Sequence, residues 1–292
     1  MTTHPLKSAL LLISGFALAT GLFAEAPKIA FPAASPASTL KQRIGATDVE
    51  IVYSRPGKKG RMVYGGLVPF GEVWRTGANA STKITFTTAV KLNGTDIPAG
   101  TYALYTIPTE TSWTVIIDKD TSLWGSYDYN PKNDLVRFKA FPVKLTEPVE
   151  TFTIEFNDIR DDTATLNLIW EKTCVPVKLE VDLVHTLVTQ ITAAMASAEK
   201  KKSGTYLQAA AFYFDQGLDL KQPIAWLDTA LADQPKNAYA VLHLKAKILA
   251  KLGDKPGATD AANQSLALAA KAGGTVAEEY GKLNNDLLAS LH

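Results

Sequence analysis

The hydrophobic pattern of this chain changes its period once, at Asp182. Before that residue, short runs carry apolar side chains at every second position, which is the spacing of a half-buried strand. After it, apolar side chains recur at the spacing of one helix face. The first such series is Leu183, Leu187, Ile191 and Met195. Strands grouped before helices favour an α+β chain of two parts. We predict a β domain over residues 47–182 and an α-helical region over residues 183–292.

The β domain is predicted to be an antiparallel sandwich or a barrel-like fold. About nine alternating runs are separated by turn residues at short spacing, as is typical of such folds. Asn93 and Gly94 together are a strong signal for a tight hairpin. No long helical pattern interrupts the runs, so folds built from parallel βαβ units are disfavoured.

Glycine and proline residues divide the helical region into segments of hairpin size. The breaks fall at Gly204, Gly217, Pro235, Gly253 and Gly273-Gly274. Residues 225–235 resemble the second helix of a tetratricopeptide repeat, and a similar segment, residues 261–269, follows about 35 residues later, near the period of that repeat. Two such units fall short of a free-standing solenoid. We therefore expect the region to pack on the β domain or on a partner, with a plain helical bundle as the alternative.

The N-terminus has the pattern of a secretory signal peptide. Lys7 precedes an apolar stretch, residues 9–22, and small residues follow it. We predict a signal peptide over residues 1–24, cleaved after Ala24, with an uncleaved anchor helix as the alternative. Residues 25–46 are then a linker or an extended lead-in. The mature protein is expected in the periplasm or outside the cell, without a membrane span.

Charge, cysteine and histidine content exclude several classes of function. The net charge of +1 argues against a broad nucleic-acid surface. The single cysteine, Cys174, permits no intrachain disulfide. The β domain contains no histidine, which removes a Ser-His-Asp arrangement and histidine-based metal sites from it. We predict no cofactor and no metal site.

A long connection, residues 53–82, concentrates arginine, glycine, proline and aromatic residues between two strand-like runs. A connection of this length is usually functional or disordered, and its apolar side chains favour order. Its arginines, Arg55, Arg61 and Arg75, suit carboxylates, phosphates and aromatic faces. They are candidates for binding an anion or a sugar. The alternative is that they face solvent or pair with acids of the domain, such as Asp158, Asp161 and Asp162.

A second irregular segment, residues 123–131, carries Trp124, Tyr127 and Tyr129. Aromatic faces stack on sugar rings or cations, and nearby amide or guanidinium groups can orient the ligand. In the first connection, Trp74 and Asn79 offer the same pair of functions. If both segments meet at one end of the sandwich, these residues form a concave ligand-binding site. The alternative is that Trp74 and Trp124 only plug the open end of the sandwich.

The chain contains the three segments YSRPGKKGRMVYGGLVPFGEVWRTGANAST, PAGTYALYTIP and WGSYDY. Together they resemble a known family of bacterial domains of unknown function, the one numbered 2911. The resemblance covers roughly residues 35–182. It implies an exported β-rich domain with no established activity, and it carries no catalytic residues over to this chain.

The leading functional hypothesis is a non-catalytic binding or assembly module for an envelope glycan, a small anion or a protein partner. One alternative is a glycoside hydrolase that uses carboxylates from residues 118–134, which would need two carboxyl groups facing each other across a cleft. The other is a structural scaffold that acts through the helical region. The scaffold hypothesis predicts that internal salt bridges tie down the arginine loop and that no cavity exists.

Overall fold

The structure is a computed structural model that describes Met1, residues 31–199 and residues 201–291. The predicted signal peptide and its cleavage site after Ala24 lie outside the described residues, apart from Met1. Across the described ranges, no helix is both long enough and apolar enough to cross a bilayer.

Ten strands form two antiparallel sheets in the described part of the β domain. In chain order they are β1 (Ala37–Ile44), β2 (Thr47–Ser54), β3 (Thr82–Phe86), β4 (Val90–Leu92), β5 (Thr95–Ile97), β6 (Gly100–Ile107), β7 (Trp113–Asp118), β8 (Asp134–Ala140), β9 (Val143–Asn157) and β10 (Thr163–Val181). The six-stranded sheet has the order β1-β2-β3-β6-β7-β8, and the four-stranded sheet has the order β5-β4-β10-β9. The sheets do not close on each other, so the domain is a sandwich rather than a barrel.

The predicted hairpin at Asn93 and Gly94 connects β4 to β5. Strand β1 pairs with β2 along its whole length, from Ala37 opposite Ser54 to Ile44 opposite Thr47. Ordered sandwich structure therefore begins inside the stretch that the sequence predicted to be a linker or lead-in.

The main core lies between the two sheets and follows the alternation of the strands. In β2 every second side chain is buried. Large rings fill the centre, and the most buried of them are Phe86, Trp113, Phe152 and Trp170.

Strands β6 and β7 are buried on both faces. Ala103, Tyr105 and Ile116 form a second, smaller apolar cluster on the outer face of the six-stranded sheet, and Val73, Leu123 and Tyr129 pack against it. We call this the outer cluster. It brings together the two irregular segments that the sequence singled out.

Within residues 183–199 and 201–291, six helices follow Asp182, whose side chain caps the first one by accepting a hydrogen bond from the His185 N–H. They are α1 (Leu183–Ala196), α2 (Ser203–Asp215), α3 (Lys221–Ala232), α4 (Ala238–Lys251), α5 (Lys255–Ala272) and α6 (Gly274–Ser290). Consecutive helices pack against each other from α2 to α6, as in stacked hairpins.

The last three helices share a buried polar network. Asn284 in α6 bonds the ring of His243 in α4 at 2.8 Å, and it donates to the Ser265 hydroxyl in α5 at 2.9 Å. The Ser265 hydroxyl in turn donates to the carbonyl of Tyr239 at 2.7 Å. Fully satisfied networks of this kind fix the register of the elements they join.

Candidate functional site

Two loops meet over the outer cluster. We call residues 73–81 the Trp74 loop and residues 119–133 the Trp124 loop. The Ser81 N–H donates to the Leu123 carbonyl at 3.2 Å, and Ala80 pairs with Trp124 in an isolated antiparallel bridge. The two segments therefore do meet, but they do so on the outer face of β6 and β7.

Trp74 belongs to the core between the sheets. Its backbone N–H donates to the Thr106 carbonyl at 2.7 Å, which fixes the start of the loop against β6. Its side chain is 8% exposed, and its ring stacks on Trp170 with centroids 6.0 Å apart. The indole N–H donates to the Gly77 carbonyl at 3.1 Å. A ring in this position has no free face for a ligand, so Trp74 supports the site from beneath.

The Trp74 loop holds a strained backbone in place with buried hydrogen bonds. Thr76 has a φ of 51°, which is unusual for a β-branched residue, and its side chain is fully buried. Its hydroxyl lies 3.0 Å from the Thr106 hydroxyl, and its carbonyl accepts from the Thr82 hydroxyl at 2.7 Å. Such strain persists only where the surroundings over-determine the conformation.

Arg75 reaches from the Trp74 loop to the Trp124 loop. Its Nη1 donates to the carbonyl of Asn79 at 2.9 Å, and its Cζ lies 5.6 Å from the centre of the Tyr127 ring. Gly125 makes this contact possible because its φ is 80° and a Cβ there would come within 2.9 Å of Nη1. The carbonyl of Gly125 also accepts a bond from the Tyr105 hydroxyl at 3.3 Å.

Trp124 and Tyr127 are the exposed aromatic residues of the site. Their exposed fractions are 66% and 79%, although the loop that carries them is bonded to its neighbours. Trp124 therefore does not plug the sandwich. Together with Arg75 these residues form a polar–aromatic patch, which we call the aromatic surface.

The remaining residues of the two loops point elsewhere. The Tyr129 hydroxyl donates to Asp134 at 2.6 Å and accepts from Arg137 at 2.7 Å, so this ring faces inward over the outer cluster. The Asn79 amide donates to the Ser54 hydroxyl at 3.2 Å and ties the Trp74 loop to the end of β2.

Arg55 and Arg61 are bound internally. Arg55 donates to the Phe152 carbonyl at 3.1 Å and to the Thr153 hydroxyl at 2.7 Å, both on β9. Arg61 donates to the carbonyls of Gly57 and Lys58 at 2.7 and 3.0 Å, within its own turn. Their partners are carbonyl and hydroxyl oxygens rather than the acids at positions 158–162. Both arginines hold the long connection in shape, but they do so through neutral oxygens and not through the salt bridges that the scaffold hypothesis expected.

A pair of carboxyl groups lies beneath the Trp124 loop. Asp118 and Asp134 face each other across the β7–β8 pairing, and Asp118 is 1% exposed. One oxygen of Asp118 accepts from the Asp120 N–H at 2.7 Å, while its Oδ2 is buried without a hydrogen-bond partner. Burial raises the pKa of Asp118, the Asp120 N–H opposes this, and the neighbouring Asp134 carboxylate raises it further. Asp134 is also paired with Arg137.

This carboxyl pair does not have the geometry of a glycosidase. Two catalytic carboxyl groups stand about 5–10 Å apart on either side of the scissile bond. Asp118 is instead buried, and Asp134, its partner across the strand pairing, is bound to Tyr129 and Arg137, so the two carboxyl groups do not flank an open cleft. Within the described residues, no cluster of histidine, cysteine or acidic side chains is suited to hold a metal ion.

The sequence did not lead us to expect that Ser81 and Asp118 are buried beneath the two loops. Ser81 is almost fully buried, and its hydroxyl has no hydrogen-bond partner among the described residues. The available signal was the run of apolar residues in β7, which continues without alternation and so indicates burial on both faces.

Two grooves lie away from both loops. A groove of about 560 Å³ beside β10 is lined in part by Asn93, Phe141, Arg160 and Lys178. An apolar groove of about 360 Å³ lies between α1 and α2. Neither includes a residue that the sequence predicted to bind a ligand.

The fold defines the class of this chain as an antiparallel β-sandwich domain joined to a helical region. Residues 35–179 match a protein family described as "Protein of unknown function (DUF2911)". The β domain is therefore similar to this family over those residues, as the sequence motifs implied. The helices lie outside the matched residues. No curated protein and no solved structure matches the chain.

Proposed function

We propose that the chain is a non-catalytic binding module and that its β domain binds a glycan on the aromatic surface. The observation that carries this proposal is the exposure of Trp124 and Tyr127 on a loop that is bonded to its neighbours. Large aromatic side chains are usually buried in a protein that has a core to receive them. A ring held outward on an ordered loop offers a flat apolar face to the C–H groups of a sugar.

The order of the loops favours binding because little entropy remains to be lost. The bonds from Ser81 to Leu123 and from Tyr105 to Gly125 hold the Trp124 loop in place before any ligand arrives. Ligand groups then meet surfaces that are already positioned, which lowers the cost of association.

The aromatic surface favours a glycan over the other two ligand classes. A small anion would use Arg75 and leave the two rings without a role. A stable protein partner would bury about 800 Å² on each side, much more than two side chains can provide. A sugar chain needs only a few stacked rings and a polar group that orients them.

Sedimentation with insoluble polysaccharides tests the proposal. The mature chain is mixed with purified cell-wall sacculi, chitin and cellulose, alongside the double variant Trp124→Ala/Tyr127→Ala. Phe141→Ala is the matched control, because Phe141 is 66% exposed, as Trp124 is, but lies beside β10. We expect the double variant to lose at least about tenfold in affinity, or 1.4 kcal/mol, and the control to bind normally. Absence of binding to every polymer, or equal binding by the double variant, would refute the proposal.

We also propose that the chain is exported. The support is the basic and apolar pattern of residues 1–24 and the small residue at Ala24. N-terminal sequencing of the protein recovered from a bacterial periplasmic fraction should begin at Glu25. Recovery of the full-length chain from the cytoplasm alone would contradict it.

A further inference from the structure

Arg75 has fewer internal partners than four other arginines of the sandwich. Arg75 donates one side-chain hydrogen bond, whereas each of the others donates two; they are Arg43, Arg55, Arg61 and Arg137. A guanidinium group carries five N–H donors. The hydrogen bond of the Arg75 side chain in the described structure goes from Nη1 to the Asn79 carbonyl, and the group otherwise lies over the Tyr127 ring. No carboxylate among the described residues forms an ion pair with it.

Three other arginines of the sandwich are bound more firmly than Arg75. Arg43 is paired with Asp48 at 2.6 Å, and Arg137 is paired with Asp134. Arg55 uses two of its nitrogens on β9. Arg75 is half-buried and held by one bond, so it is neither paired internally nor freely solvated as a surface side chain would be.

The Arg75 side chain extends toward the aromatic surface and ends over the ring of Tyr127. The side chain runs from beneath the Trp74 loop, past Gly125, to the face of Tyr127. Because the guanidinium covers one face of Tyr127, a sugar ring that stacks on Trp124 and packs against the edge of Tyr127 would present its ring substituents to the guanidinium. A guanidinium fork binds a carboxylate through two parallel hydrogen bonds, and it does so more strongly than it binds a hydroxyl.

We infer that the glycan bound by the aromatic surface is acidic and that Arg75 binds a carboxylate on its sugar ring. This inference rests on the proposed function and names the chemical class of its ligand. The rings supply affinity for any sugar, while the guanidinium selects those that carry a carboxylate. Displacing water from a half-buried guanidinium strengthens the ion pair relative to one on an open surface.

A pair of polymers that differ only in charge tests the inference. Polygalacturonate and its fully methyl-esterified form share the same ring and linkage, but the ester has no charge. The affinity of the mature chain for each is measured by isothermal titration calorimetry at low and at high ionic strength. We expect at least about tenfold tighter binding of the acid form at low ionic strength, and a smaller preference at high ionic strength.

Three variants assign the preference to Arg75. Arg75→Gln should bind both polymers equally, at the affinity that the wild type has for the ester. Arg75→Lys should keep part of the preference, since it retains the charge and loses the fork. Arg61→Gln is the matched control: it also removes one positive charge from the long connection, but its partners are carbonyls of its own turn, so the preference should remain.

The outcomes separate this inference from the proposed function. Equal binding of both polymers by the wild type would overturn the inference and leave the proposed function intact. A preference that persists in a folded Arg75→Gln variant would overturn the role of Arg75. If Arg75→Gln does not fold, as judged by circular dichroism, an unchanged preference in Arg75→Lys has the same consequence. Failure to bind either polymer, when the wild type does bind a neutral polysaccharide through Trp124, would overturn the inference as well. Failure to bind any polysaccharide would refute the proposed function itself.

Discussion

The two tryptophans of the site should separate stability from binding. Trp74 and Trp124 lie in loops that contact each other, yet their exposed fractions are 8% and 66%. The Trp74 ring is surrounded by other rings, with centroids 5.1 Å from Phe152, 6.0 Å from Trp170 and 6.2 Å from Trp113. Trp74→Ala would therefore open a cavity at the centre of the sandwich, while Trp124→Ala would only shorten a side chain in water.

The expected loss follows from the buried contacts. Replacing a buried tryptophan by alanine costs about 3–5 kcal/mol, and losing the bond from its indole to the Gly77 carbonyl is part of that cost. We expect Trp74→Ala to lower the free energy of unfolding of the β domain by about 4 kcal/mol. At about 2–4 °C for each kcal/mol, the melting temperature should fall by roughly 8–16 °C. Trp124→Ala should stay within about 0.5 kcal/mol of the wild type.

Guanidinium unfolding followed by far-ultraviolet circular dichroism is the suitable assay, because removing a tryptophan changes the fluorescence of the chain. The β domain and the helices contribute different spectra, so two transitions can be distinguished if they occur. The Trp124→Ala variant should lose glycan binding while its stability stays that of the wild type. The Trp74→Ala variant, where it is folded, should retain part of the glycan binding. If Trp74→Ala lowered the free energy of unfolding by less than about 1 kcal/mol, the claim that Trp74 belongs to the core would be refuted. If Trp124→Ala lowered the free energy of unfolding by several kcal/mol, the claim that Trp124 lies on an exposed surface would be refuted.

Two further predictions concern buried polar groups. Burial raises the pKa of Asp118 in the folded protein above its ordinary value of 3.8. The free energy of unfolding that this shift contributes is fully present below pH 3.8, and it is lost as the pH rises through the folded pKa. Asp118→Asn, which carries no titrating group, should remove that part of the fall in unfolding free energy when guanidinium titrations are repeated across the acid range; an unchanged pH slope would contradict it. In the helical region, Asn284→Ala removes the amide that donates to Ser265 and bonds the His243 ring, and it should cost about 1–3 kcal/mol in thermal unfolding of the helices, with no change in glycan binding.

The sequence predicted the fold well wherever local chemistry decides the structure. Glycine and proline breaks located the ends of most helices to within a few residues, since these residues end helices through their own backbone preferences. Strand β1 was harder to recognise. It lies at the edge of its sheet and alternates between exposed and half-exposed side chains until Ile44, so its hydrophobic pattern is weak. Its identity as a strand comes from pairing with β2.

The site was predictable only in part, because long-range pairing decides which side chains are buried. Trp74 and Trp124 each have polar neighbours in the sequence, and nothing local distinguishes them. The backbone pairing of Trp74 with Thr106 turns one ring into the core, while the pairing of Trp124 with Ala80 leaves the other outside. The contact between Asp118 and Asp134 likewise depends on the register of β7 and β8.

Packing needs explain why the Trp124 loop covers the sheet, but they do not explain its exposed rings. Strands β6 and β7 have apolar outer faces that would otherwise be open to water, and Leu123 and Tyr129 cover them. Trp124 and Tyr127 lie between these two residues in sequence and point away from the cluster, so they add little to the buried area. The loop would cover the sheet equally well with small polar residues at these positions. The choice of two large aromatic side chains beside Arg75 is therefore better explained by a ligand than by stability.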